Sequence, residues 1–182
     1  MVHRLFYPNV PVIVCSKFGQ NVAAMPANSC SPISDSPPMI SLALRKGIRT
    51  NLVISSASRF SVNWVNFEPE SSRSKVLELA EPFEPARGGK DKLKRHRVPY
   101  VFVDGIPVLV DTCAFALCKV RKRLSTGDHD LFVTEVTQAR AIHDFTQDGY
   151  WRFEDYKPVL YLGSVHAASL ITIRTRAQVR QE

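Results

Sequence analysis

Three short stretches of this chain carry residue types that could do chemistry. The first is Asn21–Pro38, which reads NVAAMPANSCSPISDSPP. Asn28, Ser29, Cys30 and Ser31 stand in a row there, and no β-branched residue crowds Ala27–Ser31. Backbone N–H groups in such a segment can approach the polar edge of a flat ring, which needs donors at fixed places. The second is Arg45-Lys46-Gly47-Ile48-Arg49-Thr50-Asn51, directly after an apolar run. Cations and a hydroxyl gather where a helix begins, and helix N-terminal N–H groups with Arg or Lys suit a phosphate. The third is Gly127-Asp128-His129, between two long strand-like runs. A histidine there could hydrogen-bond to a bound ring. Each stretch also has a plainer reading: a Ser/Pro-rich loop, a solvated basic turn with a Thr cap, and a hairpin turn.

The elements that would position these stretches are mostly strands. Val10–Cys15 reads as a strand, followed by a turn at Gly19 and a short strand over Asn21–Met25. Ala27–Pro38 reads as loop, too polar and Pro-rich for a regular element. Met39–Leu44 is a further strand, and Thr50 opens a short helix through Ala57 as its N-cap. Phe60–Val65 alternates as a strand. Ser71–Leu79 reads as a helix that Pro82 ends, and Ala86–His96 as a charged helical stretch. The β pattern returns from Ile106, through Pro107–Val110 and Thr112–Val120. Leu131–His143 follows the turn Ser125-Thr126-Gly127-Asp128, and Val159–Leu162 is a last strand. That gives about six or seven strands and two or three short helices, joined by tight turns as in an antiparallel barrel or sandwich. Helices do not alternate with strands as a doubly wound sheet requires. No G-x-G-x-x-G follows a strand and no Walker-type loop is present, so a nicotinamide dinucleotide would not be held in Rossmann fashion.

Composition narrows the partners. The 182 residues are 45% hydrophobic, enough for one domain spanning 1–182, with a short basic tail from about 166. The net charge of +7 favours anionic partners such as nucleotide cofactors. Much of it lies in Arg87, Lys90, Lys92, Lys94, Arg95 and Arg97, and in Lys119, Arg121, Lys122 and Arg123. Neither cluster is interleaved with stacking aromatics, which argues against nucleic acid. No segment reaches the ~18 apolar residues of a membrane span, and no export signal is read, so a cytoplasmic protein is expected. Cys15, Cys30, Cys113 and Cys118 form no C-x-x-C pair and have no His at zinc spacing, so reduced thiols and no metal are expected.

In their order and spacing these segments resemble the flavin reductase-like, FMN-binding split β-barrel family. MPANSCSPISDSPP stands where the family has M-T-A-S-S-F-T-S-V-S-x-D-P-P. Thr50-Asn51-Leu52 opens the helix, Phe60-Ser61-Val62-Asn63 matches an F-x-V-N strand, Gly127-Asp128-His129 is followed by LFVTEV, and Pro158–Gly163 reads PVLYLG. The resemblance covers roughly residues 7–164 and implies a mainly β, antiparallel Greek-key barrel that binds FMN as a homodimer. It implies that Ala27, Asn28, Ser29, Cys30 and Ser31 line the flavin. Lys46, Arg49 and Thr50 would hold its phosphate, with Asn51 beside them, and His129, braced by Gly127 and Asp128, would sit on the nicotinamide side. The implied activity is hydride transfer from NADH or NADPH to FMN, with the reduced flavin supplied to a monooxygenase. The alternative is a flavoredoxin-like electron carrier that does not turn over free flavin. The chain departs from the pattern at Asn28, Cys30 and Ser36, with Asp35 one place before the family's Asp.

Overall fold

The opening apolar run becomes β1 (Val12–Phe18), and it is continuous rather than alternating because both faces are covered. Val12 and Val14 join one buried cluster, Ile13 and Cys15 another. In the computed structural model, which describes residues 9–66, 91–141, 146–147, 150–153, 155–161 and 170–172, β1 turns at Gly19 into β2 (Asn21–Ala27). There follow β3 (Cys30–Asp35), β4 (Pro38–Arg45), helix α1 (Arg49–Ala57), β5 (Arg59–Trp64) and the short helix α2 (Lys92–Arg95). Then come β6 (Tyr100–Val103), β7 (Ile106–Leu109), β8 (Ala114–Thr126) and β9 (His129–Ala141). The small strands β10 (Thr146–Gln147), β11 (Tyr150–Trp151), β12 (Val159–Tyr161) and β13 (Leu170–Thr172) complete the described chain.

Seven strands form one antiparallel sheet in the order β2-β1-β5-β8-β9-β4-β3. Neighbours that are not consecutive in sequence, β1 with β5, β5 with β8 and β4 with β9, make the crossovers of the expected Greek-key barrel. Val12, Val14 and Ala27, at one side of the sheet, share a core with Leu42, Leu44 and Phe132 from the other side, along with Phe60, Val62 and Ile54. The sheet therefore curls over its own apolar face, yet β2 and β3 are not paired, and the barrel is split there. α2 and β7 cover the outer face of β1 and β2 through Leu93 and Leu109. No helix among the described residues is long and apolar enough to cross a membrane.

Several sequence expectations need correction. The Ser/Pro-rich stretch is not all loop: Cys30–Asp35 is the strand β3. An edge strand exposed along most of its length needs no apolar alternation, and Pro there costs only an unused donor. Its pairing slips between Pro32 and Ser34, the bulge that such an edge tolerates. Thr50 is not the N-cap. The helix starts at Arg49, its N-cap is Ile48 in extended conformation, and no side chain caps it. Ser125 and Thr126 belong to β8, and the loop is Gly127-Asp128 alone, with Gly127 at φ 51° where a two-residue hairpin favours glycine. β8 runs on to Thr126 because its exposed basic half pairs along β9 without needing apolar residues. β6 was missed, and so was β13, which lies inside the expected tail. The expected helix Ser71–Leu79, the beginning of the charged stretch from Ala86, and most of the tail lie outside the described residues.

α1 ends at Ser58, which takes the left-handed conformation at φ 54° and donates its N–H to Ile54 O (2.8 Å). A side chain at this φ is disfavoured, and glycine is not. Ser58 is exposed, so Ser58→Gly is expected to stabilise the fold by about 0.5–1 kcal/mol. The check is the urea midpoint at unchanged slope, and an unmoved or lowered midpoint would contradict it.

Candidate functional site

The site is built around β4. Its last residue, Arg45, pairs with His129, the first residue of β9, so strand pairing alone brings the second and third sequence stretches together. The first stretch joins from the other edge. Ala43 N donates to Ser29 O (3.0 Å), and Ser31 pairs with Ser41. Paired residues share a face of the sheet. Ser31 and Ser41 therefore lie on the face away from the core, while Cys30 lies with buried Leu42.

The start of α1 has the features of an anion site. Its first-turn N–H groups have no side-chain cap, which leaves donors directed out of the helix end. Arg49 Nε is buried without a hydrogen-bond partner, and Nη2 of the same guanidinium makes a marginal 3.4 Å contact to Asn21 Oδ1. A buried cationic N–H without an acceptor is costly unless an anion completes it. The residues present therefore fit a phosphate group, with Arg49 and the backbone of α1 as donors. Lys46 is committed elsewhere: its Nζ donates to Ser125 Oγ (2.7 Å) and Gly127 O (2.5 Å), and its N–H to Asp128 O (2.9 Å). It ties the turn before α1 to the β8–β9 hairpin tip.

His129 sits at that tip, with Nδ1 2.7 Å from Asp128 Oδ1. The carboxylate acceptor sets the proton on Nδ1 and leaves Nε2 for a ligand. The hydrogen bond from His129, then its charge, holds the Asp128 carboxyl below the usual carboxylate range. The imidazole is 41% exposed, open to a bound ring.

Not every expected residue presents itself to this site. Ala27 is buried in the barrel core, so only its backbone is available to a ligand. Cys30 packs against the same core, and burial pushes its thiol up to about 11. Burial likewise raises Cys113 and Cys118 to about 12 and Cys15 well above its ordinary range, so none supplies a thiolate at neutral pH. Asn28 is half-buried, and Ser29 and Ser31 are exposed. Thr50 is buried in the first turn of α1. Asn51 points inward: it is fully buried, and its Nδ2 donates to Asp130 Oδ2 (2.9 Å) and Leu44 O (3.2 Å). Sequence reasoning missed Asn21, Arg123, Ser125 and Asp130. The second Asp of Gly-Asp-His-Asp was the available signal, since strand alternation puts it on the core side opposite His129.

Comparison with known proteins gives this arrangement a context. A family model described as the flavin reductase like domain matches residues 3–164. The chain is 28% identical to a probable flavin reductase of Rhizobium meliloti over 178 residues, 97% of this chain and 53% of that one. It is also 28% identical to the reductase component of a 4-nitrophenol 4-monooxygenase/4-nitrocatechol 2-monooxygenase of Rhodococcus opacus, over 68% of this chain and 58% of that one. The chain thus spans little more than half the length of these relatives. Among solved structures, an FMN-binding protein from Thermus thermophilus superposes with a TM-score of 0.76 at 22% identity, covering 92% of this chain and 87% of that one. This likeness establishes the shared split-barrel fold.

Proposed function

The chain belongs to the flavin reductase-like domain family, and from that premise we propose that it is an NAD(P)H:flavin oxidoreductase that binds FMN. The observation that carries the reading is the meeting of two half-sites: the uncapped start of α1 with the unpartnered Arg49 Nε, and the hairpin tip that presents His129. The first suits the phosphate of FMN and the second the nicotinamide of the incoming dinucleotide. FMN, when bound, supplies the ring that accepts a hydride from NADH or NADPH. The protein's share is binding and alignment. Arg49 and the first turn of α1 would hold the phosphate, backbone donors of Asn28–Ser31 would meet the ring edge, and His129 would orient the nicotinamide through Nε2. No residue need act as nucleophile, in keeping with the protonated thiols.

Such a reductase would work in the cytoplasm, where NAD(P)H is regenerated, and pass reduced flavin to a monooxygenase, a reading supported by the name of the Rhodococcus opacus relative. We place it as a homodimer. Leu131 and Val133, half-buried on the outer face of β9, and Leu124 opposite Leu131 on β8, offer an apolar strip for a second copy. Light scattering is the check, with about twice the 20.5 kDa chain mass expected.

The deciding experiment is the visible spectrum of the purified protein loaded with FMN, followed by NAD(P)H oxidation with and without added free FMN. A flavin spectrum with turnover that rises with free FMN supports the reductase. A flavin spectrum without free-flavin turnover would make the protein a flavoredoxin-like carrier. Absence of FMN binding would end both readings.

His129→Ala is expected to raise KM for NAD(P)H roughly three- to tenfold, the worth of about one hydrogen bond, with FMN affinity unchanged. An effect confined to melting temperature would make the histidine only a turn residue, and loss of FMN would move it to the flavin site.

A further inference from the structure

Asp130 is an unusual residue for its place. It lies on the core side of β9, 2% exposed, two residues before Phe132 at 0% and Thr134 likewise at 0%. An apolar side chain would serve that wall of the barrel. A carboxylate there needs partners, and Oδ2 has two: it accepts from Arg123 Nη2 at 2.7 Å and from Asn51 Nδ2 at 2.9 Å. Arg123, the largest influence, and Asn51 hold the carboxyl below the usual range against the effect of burial. Buried charges of this kind are best attested as devices that fix one geometry among several.

The partners say which geometry. Asn51 is the third residue of α1, directly after Arg49 and Thr50, and Asp130 directly follows His129. Asn51 Nδ2 is shared with Leu44 O, and Ser55 Oγ donates to Asn51 Oδ1 (3.2 Å), so the amide is held from strand and helix at once. At the other end of the same segment, Lys46 clamps Ser125 and Gly127. Residues 46–51 are thus fastened to residues 123–130 at both ends, and the Asp130–Asn51 bond is the fastening nearest the phosphate donors.

We propose that Asp130, clamped by Arg123, is a positioning residue that sets the start of α1 against the His129 hairpin through Asn51, so that phosphate recognition depends on the hairpin. The proposal rests on the FMN reading above. Without the bond α1 keeps its core contacts through Val53 and Ile54, but Arg49 loses its fixed place. A shift of about an ångström is enough to spoil a charge-assisted hydrogen bond.

The test compares FMN with riboflavin, which lacks the phosphate, in fluorescence titrations of the wild-type protein, Asp130→Ala and Arg123→Gln. The ratio of the two dissociation constants isolates the phosphate contribution. In Asp130→Ala, which leaves Asn51 Nδ2 without its carboxylate acceptor, this ratio should fall about fivefold, the worth of one hydrogen bond, while riboflavin affinity stays put. Arg123→Gln, at a half-exposed position, should move the ratio in the same direction, and it decides the matter if Asp130→Ala does not fold. An unchanged ratio overturns the proposal, as does equal weakening of both flavins, which would mark a merely structural role. A wild-type ratio near one would overturn the phosphate reading and this proposal with it, whereas a high ratio in every variant overturns this proposal alone.

Discussion

Arg49→Ala is expected to weaken FMN binding by roughly ten- to a hundredfold, the loss of a charge-assisted hydrogen bond to phosphate. The folded state should barely register the change. The side chain's contact with Asn21 Oδ1 is long, at 3.4 Å, and lies at the surface, and its buried Nε has no partner to lose. Removing an unsatisfied buried N–H is neutral or mildly stabilising for the empty protein. The expected signature is therefore a split result: a large rise in the FMN dissociation constant, and a melting temperature of the flavin-free protein that holds or rises. Riboflavin affinity should be nearly untouched, because in the proposed site Arg49 would meet only the phosphate. Equal FMN affinity in variant and parent would remove Arg49 from the site. The effect should exceed that of Thr50→Ala, about fivefold at most, since Thr50 is buried in the helix turn and offers one neutral hydroxyl.

Much of this arrangement could be read from residue types, and the part that could not has a physical cause. β1, β4 and β5 announced themselves because burial on one or both faces demands apolar residues in a row or in alternation. β3 was hidden because an edge strand facing solvent is free to use Ser and Pro. The end of β8 beyond Val120 was hidden for the same reason, since Lys122, Arg123, Ser125 and Thr126 pair along β9 in the open. The helix start was found within a residue, but its cap was misjudged. Thr50 has the right chemistry, yet the cap falls two residues earlier, on Ile48, which has no side-chain acceptor. That error hid the more useful fact, an uncapped N-terminus. Asn51 shows the other limit. Its type suits a ligand or a bridge equally well, and only the return of β9 beside β4 brings Asp130 to it across 79 residues of chain.

Asn63→Ala is expected to cost roughly 2–4 kcal/mol of stability, the largest effect of any single polar substitution considered, because it orphans backbone groups on two strands at once. In the sequence, Phe60-Ser61-Val62-Asn63 reads simply as a strand. In the fold, Phe60 and Val62 fill the barrel, and Ser61 and Asn63 face the other way yet are also fully buried. Asn63 Nδ2 donates to Ile13 O (3.0 Å) and Ser61 Oγ (2.9 Å), and its Oδ1 accepts from Leu109 N (3.0 Å). Ser61 Oγ in turn donates to Pro107 O (2.5 Å). One amide thus joins β1 to β7 across β5, donating to a backbone acceptor on the first and accepting from a backbone donor on the second. Alanine leaves the Leu109 N–H without an acceptor in a dry cluster that includes Leu93 and Val98. Aspartate would be no remedy, since an ionised carboxylate cannot donate to Ile13 O and would be buried beside it. Asn66 supplies the comparison. It makes a similar pair of bonds, to Asp155 O (3.0 Å) and from Lys157 N (2.9 Å), but at a half-buried position where water can substitute. Asn66→Ala should therefore cost only about 1 kcal/mol. Urea titrations of both variants measure the difference directly. Equal midpoints would mean that the bonds of Asn63 are replaceable, and that apolar packing alone holds β7 against the barrel.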